Sequence, residues 1–273
     1  MTQTRHTLHF FLGGQDLEMR SIRELLEQHA PGHFTDKHLA WGARLSDYAT
    51  EIRQVIRDGK IPVVIELSDD LANDDPVREK LVIIDHHGPL AGSDKPTSLE
   101  QVFSLLGLAP QLWTRHYRLV AANDRGHVAE MKAMGATPEE IVTIRQLDRK
   151  AQGISPGQET EARQAIAGRK EKPGLTVIRS TGSSSSAIAD LILPELGGPG
   201  YHNLLVIMPG KLAFFGGGEK VMELGNSIPH SWYGGALPEQ GFWGTAVSSP
   251  EERNRIVRQI MKMCDPDNRQ ARR

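Results

Sequence analysis

The chain has 273 residues, with 32 Lys and Arg against 34 Asp and Glu, so it lacks the basic excess with which proteins grip a long nucleic-acid duplex, although a short or mononucleotide ligand stays open. Hydrophobic residues at 38% and charged residues at 24% describe an ordinary water-soluble chain, long enough for one large core or, as expected here, two modest ones. One cysteine, Cys264, excludes an intrachain disulfide framework, and with neither a signal-like segment nor a run of ~18 apolar residues the expectation is a cytoplasmic protein with no membrane contact.

The first predicted strand is His6 to Leu12, turned sharply by Gly13-Gly14 into a helix from Asp16 to His29 with Met19, Ile22, Leu25 and Leu26 on one face. Asp16 and Glu18 open that helix, either as partners of its dipole or as ligands at the strand's end. A short strand is predicted at Lys37 to Gly42. Ser46 is expected to cap a helix with Ile52, Val55 and Ile56 inward, ended by Asp58-Gly59. Ile61 to Leu67 forms a further buried strand with Glu66 near its end, and burying that acid demands a partner. Asp69 and Asp70 have the character of loop acids.

Leu81 to Ile84 has no polar face and is predicted to be a strand buried on both sides of a parallel sheet. Asp85-His86-His87 follows, and Gly88-Pro89 ends the strand. A carboxylate and two imidazoles thus emerge together at a strand's carboxyl end, where open α/β sheets hold ligands, and the combination indicates a divalent-metal site. Thr97 to Glu100 is a capping box for a helix to about Leu106, and a second helix spans Gln111 to Ala122. Asn123-Asp124-Arg125-Gly126 is a helix-ending turn or, through Asp124, part of the site. Thr137 to Glu140 is another capping box, for a helix to about Ala151, on which Arg145, Asp148 and Arg149 make a solvated face or an anion clamp.

Alternating strands and helices over residues 1–151 argue for an α/β domain with a doubly wound, mainly parallel sheet. Gly- and Pro-rich residues 152–174 around a polar helix are expected to form a connector, and 175–273 a smaller α/β domain. In the latter, a strand at Leu175 to Ser180 runs into Thr181-Gly-Ser-Ser-Ser-Ser and a helix from Ala187 to Leu193, a start suited to an anion or simply to capping. Asn203 to Met208 and Lys211 to Phe215 form a hairpin across Pro209-Gly210, followed by three glycines. Residues 232 to 244 alternate aromatics with glycines, either to receive a ligand or to pack a core. Ser249 caps a last helix bearing Ile256, Val257, Ile260 and Met263.

With these positions in place, the sequence resembles the DHH phosphoesterase superfamily, in order and over most of its length. Asp85-His86-His87 matches the eponymous motif; Leu12 to Glu18, Glu66 and Asp124 fall where the other acidic motifs lie. Gly234-Gly235 through Gly241 is similar to the glycine-rich loop of the family's substrate-binding domain, without its histidine. The resemblance implies a two-domain hydrolase using one or two Mn²⁺ (or Mg²⁺) ions held by Asp16, Glu18, Glu66, His86 and Asp124. It also implies that Asp85 orients His86 and that His87 contacts the phosphate or protonates the leaving group. Arg145, Arg149, Gly234, Gly235 and Gly241 would hold a small phosphorylated or nucleotide-like substrate, and a homodimer is compatible with this. The departures are Leu12 in place of a ligand histidine, a gap that Gln15 or His9 could fill, and glutamates at 18 and 66 in place of aspartates, which shifts the oxygens relative to a two-metal spacing of ~3.5–4 Å. The alternative is a non-catalytic or single-metal protein of the same fold that binds a phosphorylated ligand.

Overall fold

Strand β1 (Leu8–Phe11) is short and largely apolar, as suits the centre of a sheet covered on both faces. The computed structural model describes residues 7–86, 95–235 and 237–266, and the chain divides into two compact units, Met1–Gly153 and Ile154–Arg273.

In the first unit β1 leads to α1 (Leu17–His29), β2 (Phe34–Thr35), α2 (Ala49–Arg57), β3 (Ile61–Ile65), β4 (Val82–Ile84), α3 (Ser98–Leu105), α4 (Arg115–Ala133) and α5 (Pro138–Ala151). The four strands lie in the order β2-β1-β3-β4 and every pairing is parallel. Phe11 and Val64 are register partners and pack with Ile52 and Val55 of α2 on one face. Phe10, Val63 and Ile65 point the other way and are fully buried, so the second face is covered too. Helix α1 packs against α3, α4 and α5, and Met19, Ile22, Leu25 and Leu26 are all buried. Capping boxes at Thr97/Glu100 and Thr137/Glu140 start α3 and α5, each satisfying two orphan backbone donors.

Three local expectations are corrected. Lys37 to Gly42 is not a strand: His38 and Gly42 have φ of 53° and 90°, which no extended run tolerates, and the short strand lies earlier, at β2. Ser46 does not cap α2; it sits within a 3₁₀ turn, Leu45–Tyr48, and its hydroxyl donates to Asp70 Oδ2 at 2.6 Å. Strand β4 is not buried on both sides. It is the sheet's edge, with Val82 36% and Ile83 59% exposed, and Ile84 alone of its residues is buried.

The second unit contains α6 (Pro156–Ala167), β5 (Lys170–Lys172), β6 (Leu175–Arg179), α7 (Ser186–Leu191), β7 (Leu204–Met208), β8 (Lys211–Gly217), α8 (Gly218–Ser227), β9 (Trp232–Gly234), β10 (Gln240–Ala246) and α9 (Pro250–Cys264). Its six strands run β5-β6-β7-β8-β10-β9, with only the β6–β7 pairing parallel. One face packs Leu205, Ile207, Phe214 and Trp243 against α8 and α9; the other packs Ile178, Leu204 and Val206 against α6 and α7. Helix α6 and strand β5, within the segment expected to connect domains, thus belong to this unit's own layers, Ala162 and Ile166 lying in its core. No described helix is long and apolar enough to cross a membrane.

Candidate metal centre

Parallel strands deliver their carboxyl ends to one edge, and here the edge is sharply set. Ile65 and Ile84 are register partners, Glu66 lies one residue beyond that row, and His86 two beyond it. Glu66 donates its backbone N–H to Ile84 O at 2.9 Å. Its φ is 51°, a left-handed conformation rare for a glutamate. Gly13, after β1, packs so closely on this turn that an added Cβ would meet Ile65 O and Glu66 O at 2.7 Å each, so the close approach requires glycine.

Past Gly13-Gly14 the chain enters α1. Asp16 is the N-cap, accepting Met19 N–H at 2.8 Å, and Glu18, in the first turn, points inward and is 2% exposed. From the other side α4 presents Asp124. That helix was expected to end near Ala122; it continues past Asp124 and breaks at Gly126 and His127, the latter with φ 57° and ψ −141°.

Glu18, Glu66, His86 and Asp124 meet, with one ligand atom from each lying within 4.8 Å of all the others. His86 Nε2 lies directly against Asp124 Oδ2 and 3.9 Å from Glu18 Oε2. Glu18 Oε1 accepts Leu99 N–H at 2.9 Å, from the start of α3, whereas Glu18 Oε2 is buried and meets no hydrogen-bond partner among the described residues. Burial first, then Asp124 and Glu66, push the Glu18 carboxyl well above the usual range, against the pull of the Leu99 N–H. Asp16 is raised in the same way, by burial and then by Glu66 and Asp124. Clustered carboxylates, Glu18 buried and Glu66 and Asp124 half-buried, with a buried oxygen left without a donor, need a counter-charge. Three carboxylates and one imidazole are a donor set that fits Mn²⁺ or Mg²⁺.

The other sequence-derived candidates fall elsewhere. Asp85 is half-buried, its backbone carbonyl accepting from Gln101 Nε2 at 3.1 Å, and His87 lies outside the described residues. His9 does not fill the gap left by Leu12. It bonds Thr35 Oγ1 at 2.8 Å, and burial, then Lys60 and His33, lower its pKa to about 4. Leu12 itself is fully buried, its carbonyl accepting from Tyr48 Oη at 2.7 Å, and Gln15 is tied through its backbone to Leu39 O.

Arg145 and Arg149 form neither a solvated face nor an open clamp, both being 5% exposed. Arg145 Nη1 donates to Asn123 Oδ1 at 2.8 Å and to Asp148 Oδ2 at 2.7 Å. Asn123 and Asp148 had no individual signal in the sequence beyond adjacency to Asp124 and helical spacing from Arg145. In the second unit Gly234, Gly235 and Gly241 belong to the β9–β10 hairpin. Gly235, at φ 107°, packs so closely that an added Cβ would stand 2.7 Å from Gly241 Cα. The serine-rich loop after β6 already holds a carboxylate, since Glu161 Oε1 accepts from Ser180 Oγ at 3.2 Å and Thr181 Oγ1 at 2.7 Å. That leaves it unsuited to an anion.

No protein-family model matches the chain, and no curated protein matches it in sequence. Among solved structures, a pGpG-specific phosphodiesterase, PggH, from Vibrio cholerae aligns with a TM-score of 0.42 and 13% identity, over 94% of this chain and 98% of that one. RecJ of Thermus thermophilus in complex with Mn²⁺ aligns with a TM-score of 0.49 and 15% identity, over 93% of this chain and 52% of that one, so the chain spans about half its length. An exonuclease RecJ bound to manganese gives a TM-score of 0.40 and 13% identity, over 94% and 90% of the two chains. At these values none assigns a role to any residue of this chain.

Proposed function

We propose that the chain is a divergent DHH-type phosphoesterase, a hydrolase that uses a bound Mn²⁺ or Mg²⁺ ion to cleave a phosphate ester or anhydride in a small, nucleotide-like substrate. The observation that carries this is the convergence of Glu18, Glu66, His86 and Asp124, from two strand ends and two helices, within 4.8 Å. These four would hold the ion. When bound, a divalent ion lowers the pKa of a coordinated water and offsets charge on phosphoryl oxygens.

The chain's own groups do the rest. Leu99 N–H fixes one oxygen of Glu18, leaving the other for the centre. Asp85 orients His86, and His87 contacts the phosphate or protonates the leaving group. Contact of Gly234, Gly235 and Gly241 with substrate is part of the proposal on the resemblance alone. Arg145, buried and bonded to Asn123 and Asp148, is instead assigned a positional role, and Arg149, equally buried, is not assigned to substrate.

One ion rather than two is favoured by Leu12, fully buried where the resemblance puts a ligand histidine, and by Asp16 standing outside the four-residue cluster among the described residues. The same observation favours the second reading, a protein that binds a phosphorylated ligand without cleaving it. A panel of mononucleotides and linear dinucleotides, incubated with Mn²⁺, separates the two. Hydrolysis lost in Asp124→Asn and His86→Ala is expected of the hydrolase. Ligand binding without turnover would select the binder, and full turnover in both variants would remove the metal centre from the mechanism.

A further inference from the structure

Asp148, on α5, is linked to α1 directly and to α4 through Arg145. Its Oδ1 accepts the backbone N–H of Leu17, the residue between Asp16 and Glu18, at 3.1 Å. Its Oδ2 accepts from Arg145 Nη1 at 2.7 Å, and from Gln152 Nε2 at 3.0 Å. The same Arg145 nitrogen donates to the Oδ1 of Asn123, the residue before Asp124, at 2.8 Å. Arg145 and Asp148 are each 5% exposed and Asn123 8%. An unbroken chain of hydrogen bonds therefore joins the residue before Glu18 to the residue before Asp124.

The centre needs such a tether. Its carboxylates repel one another, and the backbone of the helix carrying Asp124 kinks two residues later, leaving helical geometry at Gly126 and His127. A buried ion pair is by itself weak evidence for a stabilising role, since apolar or neutral replacements of both partners often cost little. Its placement between two ligand-bearing helices argues for geometry instead.

We infer that Arg145, Asp148 and Asn123 form a clamp that fixes the spacing of Glu18 and Asp124 and thereby sets the affinity and coordination of the divalent ion, an inference that rests on the metal-dependent function proposed above. These are positioning residues that act through the ligands.

The test compares the full chain with Arg145→Met/Asp148→Asn, which removes both charges but keeps an acceptor for Leu17 N–H, and with Asn123→Ala. Mn²⁺ affinity is measured by calorimetry, the spectrum of the bound ion by electron paramagnetic resonance, and melting temperature in chelator. The expected result is Mn²⁺ affinity weakened about 10- to 100-fold with an altered spectrum in both variants, and partial recovery in Arg145→Lys. Wild-type affinity and spectrum in the folded double variant would overturn the clamp. Should that variant fail to fold, Asn123→Ala, which removes a single hydrogen bond, decides by the same criterion. No Mn²⁺ binding by the wild-type chain would instead sink the metal-dependent function and the clamp with it, a result distinguishable from variants that bind as the wild type does.

Discussion

Ionising Glu18 is opposed first by its burial and then by Asp124 and Glu66, so its folded pKa stands well above the reference of 4.5. In the metal-free protein the folded state binds more protons than the unfolded chain across that window. Its contribution to stability is whole below about pH 4.5 and is lost as pH rises through the folded pKa. Glu18→Gln keeps an acceptor for Leu99 N–H and removes the charge. Melting in chelator should therefore show this variant more stable than wild type at neutral pH, with the gap closing towards pH 4; a constant gap would place the effect outside ionisation. Excess Mn²⁺ should reverse the order, because only the intact site gains from binding. Tyr48 supports the same region differently, its hydroxyl donating to Leu12 O and accepting from Lys37 N at 3.0 Å. Tyr48→Phe should cost about 1–3 kcal/mol in urea unfolding by stranding a buried carbonyl.

Among the elements, α1, α3, α5 and α9 were legible because capping residues and apolar periodicity agree, and β1 and β3 because short apolar runs sit between turns. Strand β4 shows where such reasoning stops. An apolar run does not say whether a strand is central or at an edge; the order β2-β1-β3-β4 depends on long-range pairing that no local pattern encodes. Ile83→Lys, at a site 59% exposed, should therefore change stability by no more than ~0.5 kcal/mol. Ile65→Ala, at a fully buried position of the neighbouring strand, should cost about 2–5 kcal/mol. Equal costs in denaturant titrations would contradict the edge assignment. The centre was similarly half legible. His86 and Glu66 stood out at strand ends, Glu18 at a helix start and Asp124 at an expected turn, whereas the partners of Arg145 had no such marker, because a charged face on a helix looks the same in sequence whether water or another helix meets it.

For the whole molecule, each unit has its own sheet, its own helical layers and its own buried core, and all four candidate ligands lie in the first. Residues 1–153 produced alone should fold and bind Mn²⁺ with the affinity of the full chain. A large loss of Mn²⁺ affinity in calorimetry would mean that the centre draws on residues outside the first unit. The left-handed turn at Glu66 gives that unit an internal conflict. A glycine there would relieve of order 1 kcal/mol of backbone strain and remove a half-buried acid, yet it would delete a ligand. Drift towards sturdier folding and retention of the centre therefore pull in opposite directions at this one position, and a lineage that ceased to need the ion would be expected to surrender Glu66 early.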